Sequence, residues 1–418
     1  MSGPIDAIYR NAAELVTMDG PPPDPSRPFD HAPLAVIEDG AIAVRAGRVV
    51  ALGTTRDVLA SVEIDPKNTC DFDCVGAVVA PGLIDAHTHA LFVGHRADEF
   101  VARIEGATYA DIAAKGGGIA RSVRELRAAS DEHLIRELAA RLKRLRSYGT
   151  TTVEVKTGYG LDTESELRSL RAIRAASVRA GVRVKSTFLP LHAVDPALRS
   201  LPDGRQRYLE RTMRETVPAV FALEDGARPD YVDAYVDTTG FSVEETRPLL
   251  DAAKRAGIPV RMHIGQFADI EGAELAAEYG AKSADHLEHV SDAGLRAMAR
   301  AGTVAMLLPG AAFSLGQSMP DARRMRSLGV EVGLATDCNP GTSYVENLPL
   351  VAAFAVRQMG LSTAEAWWAL TRAPARSLDW EGGVLRVGGV ADVCVLDMPT
   401  WRALPYAVGS VRDKFSRP

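Results

Sequence analysis

Apolar positions along this chain repeat with two different periods, and the switch between them divides the chain into three parts. The first part carries short β-rich runs broken by turn residues: AIAVRAGRVVALG, with Gly47 between two strand-like pieces, and DFDCVGAVVAPGLID. The same texture returns in GGVLRVGGVADVCVLDM, beyond the last helical stretch at Leu361 to Leu370. A small β-sandwich built from both chain ends is expected, over residues 1–77 and 379–418.

Residues 78–378 alternate apolar, β-rich segments with amphipathic helical ones, such as the stretch from Glu164 to Ala180, which is the signature of parallel β/α units. Eight strand-like segments can be counted: GLIDAHTH, TTVEVKTGYG, VKSTFLPLH, YVDAYVD, PVRMHIGQ, SADHL, TVAMLLPG and VGLATDCNPG. Eight such units predict an α/β fold, a closed (β/α)8 barrel of the TIM type, with its active site at the carboxyl ends of the strands. Polar residues cluster at those ends.

Composition narrows the function classes. At 418 residues, 46% hydrophobic and 24% charged, the chain can fill a large barrel and a smaller partner domain. A formal net charge of -6 argues against nucleic acid as partner, since binding it needs clustered positive charge, and favours a small-molecule substrate. No apolar run reaches the roughly 20 residues that span a bilayer, and the start MSGPIDAIYR lacks a basic-then-apolar signal, so a cytoplasmic protein without membrane contact is expected. Cys70 and Cys74 have no second Cys or His pair nearby and Cys338 and Cys394 stand alone, which points to no disulfide framework and no cysteine metal site. The PPPDPSRP stretch reads as an extended surface loop. The run Gly116, Gly117, Gly118 lacks the lysine of a phosphate-binding loop and reads as a flexible active-site loop.

His87 and His89 stand two apart at the end of the first barrel strand, so both side chains face the same side and can grip one ion. His263 ends strand five, His286 ends strand six and Asp337 ends strand eight. Each alone fits a satisfied core residue; the convergence of all five on strand ends fits a metal site. A divalent ion there lowers the pKa of a bound water towards about 7, and Asp337, beside ion and water, is the natural proton acceptor and later donor to a departing nitrogen. His286 can stabilise a developing oxyanion.

The motifs PGLIDAHTH, GHRADEF, GATY, GGGI, TTVEVKTGYGL, SADHLEH, LLPG and ATDCNPG, in that order and over nearly the whole chain, resemble the amidohydrolase superfamily and, within it, the imidazolonepropionase family. That resemblance implies a hydrolase opening a five-membered imidazolone ring with a propionate tail. It implies His87, His89, His263 and Asp337 as ligands of one metal ion, with His286 beside it. The donor set suits zinc, although iron or manganese could occupy it. The resemblance also places Arg96 and Tyr159 around the carboxylate arm, Tyr109 nearby and His192 on the ring, has Asn339 and Gly341 contact the ring or shape its pocket, and implies a homodimer. Lys156 fits a structural ion pair with Glu154 or a neighbour as well as a catalytic duty. His289 is expected at the surface, and His31, His95 and His133 receive no role.

Three segments depart from the family near the reacting ring. Pro190 and Leu191 replace the usual Gly-Ala before His192; Asp237 stands where Cys-Glu is usual; Ile264 and Gly265 follow His263, with Gln266 available for a catalytic hydrogen bond. Leu191, Val236 and Ile264 suggest a less polar pocket, which opens a second reading: a desulfhydrase releasing sulfide from 3-(5-oxo-2-thioxoimidazolidin-4-yl)propionate in ergothioneine breakdown. The alternative of another class is a non-catalytic amidohydrolase-like scaffold.

Overall fold

The structure, a computed structural model, describes residues 3–224 and 226–416, with the side chains of Tyr109, Ala110 and Ala113 left aside. Strands β1 (Ala7–Val16), β2 (Val36–Arg45), β3 (Arg48–Thr54), β4 (Cys70–Asp73) and β5 (Val78–Pro81) come first. The β2–β3 turn is made by Ala46 and Gly47, both with positive φ, where only glycine adopts the conformation freely. Eight barrel strands follow: β6 (Leu83–Asp85), β7 (Thr150–Lys156), β8 (Arg183–Leu191), β9 (Tyr231–Val236), β10 (Met262–Ile264), β11 (Ser283–His286), β12 (Val304–Leu307) and β13 (Val332–Leu334). The last strand is β14 (Val393–Leu396).

The small domain made from both chain ends is present. Its strands hydrogen-bond as one sheet in the order β14-β5-β1-β2-β3, with β4 beside β1, and separate apolar clusters around Leu15 and around Ile8 form on it. Strand β5 belongs to this sheet, so the small domain runs four residues past the boundary expected at residue 77.

All eight expected barrel strands form, each paired in parallel with its neighbour in chain order. First and last meet at a seam. A parallel bridge joins Thr88 to Cys338, the amide of Asp337 donates to the His87 carbonyl (3.1 Å), and Asp85 accepts from the amide and hydroxyl of Thr336 (3.0 and 2.6 Å). The amphipathic stretch at Glu164 forms helix Thr163–Ala180, capped by Asp162, which accepts from the Ser165 amide, and closed by left-handed Gly181. Its apolar residues Ala172, Ile173 and Ala176 pack with Val153, Val155 and Val184 of the barrel wall. Among the described residues, no helix is long and apolar enough to cross a membrane, and all four cysteines are free.

Candidate metal centre

Pleat alternation builds the site. At the end of β6, Thr88 turns away and donates its hydroxyl to the Glu154 carbonyl (2.7 Å), which sends His87 and His89 to the opposite side. Buried arginines fix the segment: Arg261 donates to the Ala86 carbonyl and Arg141 to that of Ala90, each at 2.7 Å. His263 arrives from β10 and His286 from β11; Asp337 follows β13 with φ of 52°.

The expected ligands converge. The Nε2 atoms of His89 and His263 lie 3.0 Å apart, and Asp337 Oδ1 is 3.5 Å from His87 Nε2 and 3.6 Å from His89 Nε2. A tetrahedral ion with nitrogen ligands at about 2.0–2.1 Å sets its ligand atoms roughly 3.3 Å apart, so this spacing fits one divalent cation. Protonation agrees. His87 Nδ1 donates to Asp285 (2.6 Å) and His263 Nδ1 to Asp233 (3.0 Å), which leaves both Nε2 lone pairs inward, and His87 Nε2 is buried with no hydrogen-bond partner. Burial pushes the pKa of His87 and His89 well below the usual imidazole range and that of His263 down to about 4, so all three are neutral donors. Burial raises Asp337 to about 7. For His286, burial works downward, but the Glu288, Asp337 and Asp285 carboxylates more than offset it and its pKa is raised.

Beneath the ligands lies a charge cluster that resolves the role of Lys156. Its ammonium sits 2.8 Å from both Glu154 and Asp233 and 3.7 Å from Asp285, with all four side chains 0% exposed. Burial would lower the Lys156 pKa, but these carboxylates outweigh it and raise it, so Lys156 is a structural cation. Because Asp233 and Asp285 are also the partners of His263 and His87, Lys156 steadies two ligands at one remove. Asp237 is structural too: its carboxylate accepts from the Phe267 amide (2.9 Å) and the Thr238 hydroxyl, tying the end of β9 to the loop after β10.

On the opposite side of the ligands, His192 stacks on His89 (ring centroids 4.8 Å apart, planes 18°) and Tyr159 lies 5.3 Å from His192. Burial pushes His192 down to about 4, and its Nδ1–H donates to the Gly158 carbonyl (2.9 Å), leaving Nε2 as an acceptor. Arg96 gives its Nε to Glu99 (2.7 Å), while its terminal nitrogens have no hydrogen-bond partner among the described residues. Glu99 also accepts from the Gly118 amide (3.1 Å), so the glycine run is tied to Arg96 through Glu99. The side chain of Tyr109 lies outside the described residues. Gln266, 8% exposed, accepts from the Tyr235 hydroxyl (3.1 Å).

One expectation needs correction, that of an apolar pocket, while the residues after Asp337 build its turn. The side chain of Asn339 holds the turn after Asp337: its Nδ2 donates to the Asp337 carbonyl and Thr342 hydroxyl and its Oδ1 accepts from the amides of Gly341 and Thr342. Gly341 lies against Arg96: a Cβ there would come within 2.5 Å of its guanidinium. The apolar lining proposed from Leu191, Val236 and Ile264 is not in the site. All three belong to the main apolar cluster, and Val236 and Ile264 face Gly272 of the following helix, where a Cβ would meet them at 3.7 and 2.9 Å.

Sequence reading missed Asp233, Asp285, Tyr235 and Glu288. Asp233 and Asp285 were visible as lone acids inside apolar strands, a place where a carboxylate survives only when paired. His289 is exposed, as expected.

Comparison with known proteins places the chain. The sequence profile described as "Amidohydrolase family" matches residues 110–413. The chain is 44% identical to an imidazolonepropionase of Symbiobacterium thermophilum over 97% of its own length and 94% of that protein's. It is 44% identical to one of Ralstonia nicotianae, covering 89% and 90%. Among solved structures it resembles an adenosine deaminase from Xanthomonas campestris with bound zinc (TM-score 0.68, 20% identity, 98% and 90% covered). It also resembles a guanine deaminase from C. acetobutylicum (TM-score 0.67, 16% identity, 96% of each chain). At such identities these structures establish the fold alone.

Proposed function

This chain belongs to the amidohydrolase family, among its imidazolonepropionase-like members, and from that premise we propose that it opens the ring of imidazolone propionate to a formimino-glutamate, a step of histidine breakdown. The observation that carries the reading is the convergence of His87 with His89 and Asp337 and of His87 with His263 and His286, near Arg96, whose terminal nitrogens have no hydrogen-bond partner among the described residues. The same reading makes it a cytoplasmic homodimer that uses one zinc ion.

His87, His89, His263 and Asp337 would hold a divalent cation, which would supply Lewis-acid chemistry to water and to the ring carbonyl. Asp337 accepts the proton of the attacking water and returns it to the departing ring nitrogen. His286, with its raised pKa, donates to the developing oxyanion. Arg96 takes the propionate through its two free nitrogens, and the Tyr159 hydroxyl adds a third donor. His192 lies against the ring, and Gln266 presents its free amide N–H to it.

Metal-loaded protein is expected to convert imidazolone propionate to formiminoglutamate. Sulfide release from the thioxo analogue instead would establish the desulfhydrase, which no longer has an apolar pocket to support it. Turnover of neither substrate by protein carrying one ion per chain would sink both enzyme readings and leave the scaffold.

Two further results are expected. Arg96→Ala raises KM by about ten- to a hundredfold and changes kcat by less than about threefold, because the lost contact grips the tail in ground and transition states alike. Steady-state kinetics checks this; a fall in kcat at unchanged KM contradicts it. Metal affinity also depends on pH. With Asp337 at about 7, His263 at about 4 and burial holding His87 and His89 well below the usual imidazole range, one proton must leave before the ion binds. Affinity therefore falls about tenfold per pH unit below about 7 and levels off above it. Zinc titrations between about pH 5 and 8 read the slope; a flat profile would place no titrating proton on the ligand.

A further inference from the structure

The chain pays for an unusual backbone just after β11. His286 and Leu287 stand consecutively in the left-handed region, with φ of 81° and 68°, a conformation uncommon and strained for residues other than glycine. Neither side chain favours it. The neighbouring strand end is shaped to receive the segment. The Leu287 amide donates to the Ile264 carbonyl (3.1 Å) and the His289 amide to the Gly265 carbonyl (2.7 Å). Gly265 itself has φ of 63°, and a Cβ on it would lie 2.2 Å from the His289 carbonyl oxygen, so only glycine permits the approach.

The residue this turn carries inward is Glu288. Its side chain is 3% exposed, its Oε2 lies 3.7 Å from His286 Nδ1, and neither carboxylate oxygen has a hydrogen-bond partner among the described residues. His286 Nδ1 is likewise unpartnered. At 3.7 Å the two form an ion pair but no hydrogen bond, so the accepting positions of the carboxylate stay open among the described residues. A buried carboxylate without a donor is costly, and so is the backbone that delivers it; together they mark a group held for a ligand.

We propose that Glu288 is a substrate-binding residue that accepts a ring N–H of the five-membered cyclic amide. This rests on the ring hydrolysis proposed above and names what reads its ring. The location excludes the tail as its target: a carboxylate repels a propionate. Arg96 stands with Tyr159 and His192, which follow β7 and β8, whereas Glu288 follows β11, across the eight-stranded ring from them. An anion acceptor on one side of the mouth and a cation on the other fix one orientation, with the tail towards Arg96 and the N–H edge towards Glu288.

Hydantoin-5-propionate and the same compound methylated on both ring nitrogens are the probes, titrated by calorimetry into zinc-loaded protein. Wild type is expected to prefer the N–H compound by about ten- to a hundredfold, and Glu288→Leu to lose that preference to within about threefold. The same substitution is expected to raise the melting temperature, because it removes an unsatisfied buried charge; a merely structural glutamate would lower it. If Glu288→Leu does not fold, Glu288→Gln keeps the shape and an acceptor but loses the charge, and the preference falls by about three- to tenfold. An unchanged preference in either variant, no preference in wild type, or a lowered melting temperature in Glu288→Leu overturns the assignment. Wild type that keeps the N–H preference yet opens no imidazolone ring would overturn the proposed reaction and leave Glu288 its role.

Discussion

Asp337→Asn is expected to lower turnover by at least about a thousandfold while leaving the fold intact. Both halves of this expectation follow from the site. An amide cannot accept the proton of the attacking water or return one to the leaving nitrogen, and general acid–base groups contribute about 10²–10⁴ on their own. The lost ligand charge adds to that. The backbone should not object, because residue 337 has φ of 52° and asparagine is among the residues that tolerate this region best. Metal content per chain and kcat, measured on the same preparation, separate loss of the base from loss of the ion. Turnover near wild type at full occupancy would remove Asp337 from the proton's path.

Lys156→Met is expected to act without touching substrate or ion. It leaves Glu154, Asp233 and Asp285 around an apolar chain, with no water to share their charge. Breaking a buried pair in this way costs about 3–5 kcal/mol. Asp233 answers most directly: burial alone would raise its pKa, but His263 and Lys156 hold it far below the usual carboxylate range. Without the ammonium the cluster takes up protons, and His87 and His263 lose the acceptors that fix their tautomers. Metal affinity is expected to fall by about ten- to a hundredfold, in line with other losses of a ligand's hydrogen-bond partner. Chemical denaturation of metal-free protein reads the first effect and zinc titration the second. Wild-type values in both would reduce Lys156 to a spectator.

The barrel and its ligands were legible in the sequence for a physical reason. Parallel strands buried on both faces leave continuous apolar runs, and a histidine or aspartate at the end of such a run stands out. Lys156 was legible as an ion-pair candidate, but its partners Asp233 and Asp285 come from strands four and six, and pairing across that distance is set by barrel curvature and register. The turn role of Asn339 was legible too, since its neighbours Pro340, Gly341 and Thr342 spell a turn that an amide side chain can hold. Leu191 and Ile264 misled through parity: each is adjacent to an inward histidine, and adjacent residues of a strand face opposite ways. Glu288 was hidden by the backbone itself, since histidine and leucine give no notice of a left-handed turn.

The seam between β6 and β13 also bears on how the molecule is made. Asp85 and Thr336 meet although 251 positions apart, and the sheet that underlies the barrel waits for β14 near the carboxyl end. During synthesis His87, His89 and His263 emerge long before Asp337, so on the proposed ligand set an early chain offers a cation three imidazoles and no carboxylate. The ion's full coordination becomes available only after nearly all of the barrel has left the ribosome. Cation binding in this fold is thereby a late event of biogenesis, and a chain truncated before residue 337 can hold the metal only loosely.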